Sequence, residues 1–144
     1  MTFSALFGKL LRGIRHSRAF TRCLWTVIRV RLALSRIGYK RLQEKLKQSR
    51  RKPSGHSAAE LLWGVRTMAR LVPDATCLTQ GLAAQYLLAH EGLETALRIG
   101  VCKGEGGKLK AHAWLVYQGS IILGGDTEEI LDYTFLNDLE MVLH

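Results

Sequence analysis

The order of hydrophobic periods predicts an α+β fold. Helix-period segments fill the chain to about Gly92, and a period-two pattern takes over from Thr95. Alternating runs at residues 95–101, 111–117 and 120–123 follow one another, the last two joined by the tight-turn pair Gln118-Gly119, as in an antiparallel meander. An apolar fraction of 47% and two prolines in 144 residues fit one compact domain with a real core. The expected architecture is an N-terminal helical region, then a cysteine-bearing helix packed on a small antiparallel sheet.

Residues 5–18 place Leu6, Phe7, Leu10, Leu11 and Ile14 on one stripe opposite Lys and Arg, which predicts an amphipathic helix. A second helix is expected from residue 19 to 34 or 37, with Leu24, Trp25, Ile28, Leu32 and Leu34 as its apolar positions. Gly38 breaks it, and residues 39–48 continue as a more polar turn or helix. Cys23 falls among the apolar positions and reads as a buried structural thiol. QSRRKPSGHS, residues 48–57, is a linker with His56 solvated. Ser57 and Glu60 form a capping box for a helix to about Leu71, burying Leu61, Leu62, Val65, Met68 and Leu71, with Trp63 in the core. In the next helix Asp74 is the N-cap, Leu78, Leu82 and Tyr86 recur at helical spacing, and Gly92 is the stop. KGEGGKLK, residues 103–110, reads as a hairpin loop and matches no phosphate-binding fingerprint. A short helix or turn with Ile130, Leu131, Tyr133 and Phe135 closes the chain.

The net charge of +9 divides unevenly. Residues 1–52 hold fifteen Lys/Arg against Glu44 alone, and residues 53–144 hold six against eleven acids, so the parts carry +14 and −5. The simplest expectation is that the basic region docks on the acidic remainder. No stacking motif or helix-turn-helix glycine pattern supports a nucleic-acid partner. Three cysteines without a CxxC pair make neither a disulfide framework nor a zinc set, and they suit a reducing cytoplasm. Basic residues interrupt the N-terminal apolar run, so neither a signal peptide nor a membrane span is expected. No metal or other cofactor is expected either, since His112 has no second ligand at useful spacing.

The chemistry concentrates late in the chain. Cys77 stands in the first turn of its helix, where unsatisfied N–H groups and the dipole favour a thiolate. His112 lies on the middle strand, sharing one face with Trp114 and Val116 while Ala113, Leu115 and Tyr117 share the other. Asp126 follows, with Glu128 and Asp132 behind it. Cysteine at a helix start, histidine on a strand, then an acid is an order in which a Cys–His–Asp triad assembles. Asp126 reads equally as the N-cap of the turn after it.

The stretches CLTQGLAAQYLLAHEGLETALRIGV and AHAWLVYQGSIILGG resemble the lasso peptide biosynthesis B2 proteins, leader peptidases of the transglutaminase-like, papain-related cysteine protease superfamily. The likeness rests on Cys77-Leu78, Leu87-Leu88 with Gly92, Ile99-Gly100-Val101 and Ala111-His112-Ala113-Trp114, and covers residues 58–135. It implies residues 53–144 as a transglutaminase-like core behind a basic helical region, 1–52. It implies Cys77 as nucleophile and His112 as general base and acid, while Asp126 stands as the third member from the residue order alone. The family's acid usually comes slightly earlier, where this chain has Gly124. The implied activity is removal of the leader from a ribosomally made precursor. Its implied partners are the leader peptide, a small leader-binding (RiPP recognition element) protein and the lasso macrocyclase. The basic helices could meet that leader-binding partner or the inner membrane face. Other readings of the same residues are a catalytically inactive scaffold and a transglutaminase-type acyl transferase.

Overall fold

The computed structural model describes residues 3–48, 52–53, 55–103, 105–125 and 134–137. Its elements run α1 (Phe3–Gln48), α2 (Ala58–Ala69), α3 (Cys77–His90), β1 (Ala96–Lys103), a 3-10 turn at Glu105–Gly107, β2 (Leu109–Tyr117), β3 (Ser120–Leu123) and β4 (Thr134–Asn137). The α+β expectation holds. Helices α1 and α2 pack against α3, and α3 packs against β1 and β2.

The two helices expected before Gly38 are one, because nothing at Arg18-Ala19 interrupts the backbone hydrogen bonding. Gly38 does break the run, with φ 79° and ψ 172°, a conformation that L side chains avoid, and the helix resumes from Tyr39. The buried face of α1 is not the stripe its large apolar residues suggest. Ala19, Cys23, Val27 and Val30 face inward, whereas Trp25 is 62% exposed and Leu32 49%. Small residues win that face because α1 and α2 approach closely: a Cβ on Gly64 would stand 2.6 Å from Cys23 Sγ. The Cys23 thiol donates to the Leu61 carbonyl at 3.6 Å, and burial pushes its pKa up to about 11. This is the structural thiol that the sequence suggests.

Ser57 caps α2, its hydroxyl accepting from the Glu60 N–H at 3.2 Å. The Glu60 carboxylate meets His16 Nδ1 at 3.1 Å and His56 Nδ1 at 3.5 Å, so His56 is half-buried rather than solvated. Helix α2 ends two residues before the expected Leu71. Pro73 disfavours helical geometry at Val72, and the chain unwinds through turns in which Leu71 N–H donates to Met68 and Val72 N–H to Ala69. Leu71 is thereby rotated off the core and is 67% exposed. Trp63, expected in the core, is 54% exposed and rests against Phe20 at 4.8 Å on the rim between α1 and α2. The linker is fastened: Lys52 N–H donates to His90 Nδ1 at 2.9 Å and Gly55 N–H to Glu91 Oε2 at 3.2 Å.

The sheet has the order β3-β2-β1-β4, all neighbours antiparallel. Positive φ at both Gln118 (47°) and Gly119 (78°) makes the β2–β3 connection the expected tight turn. Leu97, Ala113, Leu115 and Leu123 belong to the core shared with α3, and Trp114, Val116 and Ile121 cluster apart from it. Phe135 lies in strand β4 on the free edge of β1, which corrects the expected closing helix or turn; Ile130, Leu131 and Tyr133 lie outside the described residues. Among the described residues no helix is long and apolar enough to cross a membrane.

The Cys23–Gly64 contact gives a stability test. Gly64→Ala is expected to destabilise by about 1–3 kcal/mol, the usual cost of overpacking. Combining it with Cys23→Ala removes the atom in conflict and is expected to recover most of the loss, read as melting temperatures in a double-mutant cycle.

Candidate active site

Helix α3 begins at Cys77 because Thr76, in extended conformation, caps it and accepts from the Thr79 N–H. This displaces Asp74 from the capping role expected of it. Asp74 sits two residues earlier with φ 59°, exposed, and 3.7 Å from Arg31 Nη2. The far end follows the expected design: Gly92 has φ 81°, its N–H donates to Ala89 and the Leu93 N–H donates to Leu88, a Schellman closure. Between these ends α3 is buried on nearly every side, from Thr79 to His90 except Gln80 and Tyr86. Gly81 permits the approach of the sheet, since a Cβ there would meet Leu97 Cδ1 at 2.6 Å.

That packing brings the half-buried Cys77 onto β2. Its Sγ accepts the Ala113 N–H at 3.4 Å, the amide directly after His112. The first-turn N–H groups of Cys77 and Leu78 have no acceptor inside the helix and carry the positive end of its dipole. The sulfur therefore stands among hydrogen-bond donors, and no carboxylate sits in the first turn of α3.

His112 is half-buried, and its ring stacks on the Trp114 indole with centroids 6.2 Å apart and planes 22° from parallel. Trp114 is 1% exposed, so it is packing that fixes the imidazole plane, and it forms no wall of an open groove. His112 Nε2 is hydrogen-bonded to the Gly124 carbonyl. A carbonyl only accepts, so Nε2 carries the proton and Nδ1 is the basic nitrogen of the neutral ring. Gly124 can come this close only as glycine: φ is 96°, and a Cβ would lie 2.7 Å from Ala113 O and 2.9 Å from Trp114 Cα. Arg66 on α2 donates from Nη2 to the Ile122 carbonyl at 2.8 Å and ties the end of β3 that delivers Gly124.

Of the three expected catalytic residues, the fold thus brings Cys77 and His112 to one edge of β2. Asp126, with Glu128 and Asp132, lies outside the described residues. Arg66 and the Gly124 carbonyl have no signature in the sequence, since one is a surface-type residue and the other a main-chain atom. The resemblance marked position 124 only as the place of the family's acid, which a glycine cannot supply. Gln80 Nε2 donates to the Ala75 carbonyl at 3.5 Å and steadies the turn before Cys77. Among the described residues no group of three or more His, Cys, Asp or Glu side chains converges as metal ligands would.

The two kinds of thiol separate chemically. Iodoacetamide at neutral pH is expected to label Cys77 in the native protein while Cys23, buried and with a pKa of about 11, stays unmodified until unfolding; peptide mapping reads both. Early labelling of Cys23 would contradict the packing of α1 on α2.

A family model described as the transglutaminase-like superfamily matches residues 24–137. No curated protein and no solved structure matches the chain.

Proposed function

The chain belongs to the transglutaminase-like superfamily, and from that premise we propose that it is a cysteine peptidase removing the leader from a ribosomally made lasso peptide precursor. The observation that carries this reading is the placement of Cys77 Sγ at the helix start against the amide beside His112, whose Nε2 is held by Gly124. The leader peptide is the substrate, delivered by a small separate leader-binding protein, and the freed amine passes to the macrocyclase in the cytoplasm. The likeness of Cys77-Leu78 and Ala111-His112-Ala113-Trp114 to the leader peptidases supports that finer assignment.

In the mechanism, His112 Nδ1 takes the Cys77 proton. The thiolate attacks the scissile carbonyl, forming a C–S bond, and the oxyanion is met by the Cys77 N–H and a second N–H of the first turn. Collapse breaks the C–N bond as the imidazolium gives its proton to the departing amine. A water then loses a proton to His112 and attacks the thioester, releasing the acid and the thiol. The Gly124 carbonyl takes the orienting role, holding the tautomer throughout. Replacing water by an amine as acceptor gives transglutamination, which product masses distinguish.

The test is incubation of wild type and variants with precursor and leader-binding protein, followed by mass spectrometry. Wild type is expected to cut one bond. Cys77→Ala and His112→Ala are each expected to lose at least about 10³-fold in rate. Cleavage by neither wild type nor Cys77→Ala, with Cys77 inert to iodoacetamide, would leave a scaffold, and full cleavage by Cys77→Ala would remove Cys77 as the nucleophile. Gly124→Ala is expected to lose more than Asp126→Asn, because it displaces the group bonded to Nε2; the opposite order would assign the orienting role to the carboxylate.

A further inference from the structure

Residues from both sides of the break at Gly38 line a groove of about 460 Å³. Its floor is apolar: Val30 and Leu42 are buried, and Leu32, Ala33, Ile37 and Leu46 line the walls with Tyr86 of α3. Its rim holds three exposed cations, Arg29, Arg36 and Lys45, and among the described residues no acidic one lines it. Exposed Trp25 continues the stripe, since residues 25, 29, 32 and 36 fall on one helical face. The volume lies in the range of about 300–1,000 Å³ typical of ligand pockets, room for a few side chains and far short of a broad protein interface.

We propose that this groove is a docking site for an acidic peptide segment that inserts a bulky apolar side chain. The floor supplies burial for the anchor, and the three cations match carboxylates beside it. A concave floor favours an inserted side chain over a flat bilayer, which a convex apolar stripe would serve better. The groove is separate from the chemistry: Tyr86 is nine residues beyond Cys77 on α3, about 13 Å along the axis at 1.5 Å per residue and on the opposite face. Its occupant is therefore not the scissile segment. On the peptidase reading it is a remote part of the substrate, held while another part reaches Cys77.

The experiment uses the full chain and fluorescence anisotropy of a labelled twelve-residue peptide of Glu, Leu and Ala. Two counterparts carry Lys for Glu or Ser for Leu. The acidic Leu peptide is expected to bind at least tenfold more tightly than either, and to weaken at high salt. Arg29→Glu with Arg36→Glu, both exposed, is expected to weaken it at least tenfold, while the charge-matched control Lys40→Glu with Arg41→Glu, outside the groove, changes it less than threefold. Circular dichroism confirms that both variants fold. Equal weakening by the control would mean diffuse attraction to the basic helix and overturn the proposal, as would equal binding of the Lys or Ser peptide. Binding to phosphatidylglycerol vesicles without binding to the peptide would also overturn it. Cys77→Ala is expected to bind unchanged, so an inert Cys77 would sink the peptidase reading and leave the groove standing.

Discussion

Everything in this fold depends on the burial of α3 between a helical layer and a sheet. A helix that is apolar around nearly its whole circumference is stable only when both sides are covered. Leu82, Ala83, Ala84, Leu87 and Leu88 are at most 1% exposed, and Gly81 lets Leu97 of β1 come against the helix axis. Once α3 is fixed in this way, its first residue is fixed against the edge of β2. The Cys77 thiol is placed by core packing, and only the N-terminal turn of α3 remains open.

The same economy governs the histidine. Its ring plane is set by a buried tryptophan, and one nitrogen is set by a main-chain carbonyl. A carbonyl orients the imidazole without adding a charge to the site. The device depends on a glycine, because any side chain at residue 124 collides with the backbone of β2. Arg66 extends the support outward, coupling α2 to the strand that leads into Gly124. The site is therefore a product of three layers, and its elements are held by contacts with the helices as much as by the sheet.

The basic N-terminal region shows a second principle. Its charge suggested docking on the acidic remainder, and among the described residues two side-chain contacts, His16–Glu60 and Arg31–Asp74, do cross to it. The continuous contact, however, is the core that joins Cys23, Val27 and Val30 to Leu61, Leu82 and Leu97. Charged residues that do not face this core are left for other uses, and around the groove they gather at an apolar floor.

By itself the sequence determined the helical segments before Gly92 and the three-strand meander after it, the cap at Ser57, the stop at Gly92, the two-residue turn at Gln118-Gly119 and the face that His112 shares with Trp114. Those features follow from spacing of two or 3.6 residues and from local backbone preferences, which act within a few positions. Tertiary structure alone decided which side of α1 is buried, since the close approach at Gly64 selects small side chains over Trp25 and Leu32. It decided that Trp63 and Leu71 face outward, that residues 134–137 pair with β1, and that Thr76 rather than Asp74 caps α3. It also decided that a carbonyl meets His112. A main-chain oxygen leaves no mark in the one-letter code, and its position is set by contacts between residues far apart in the chain.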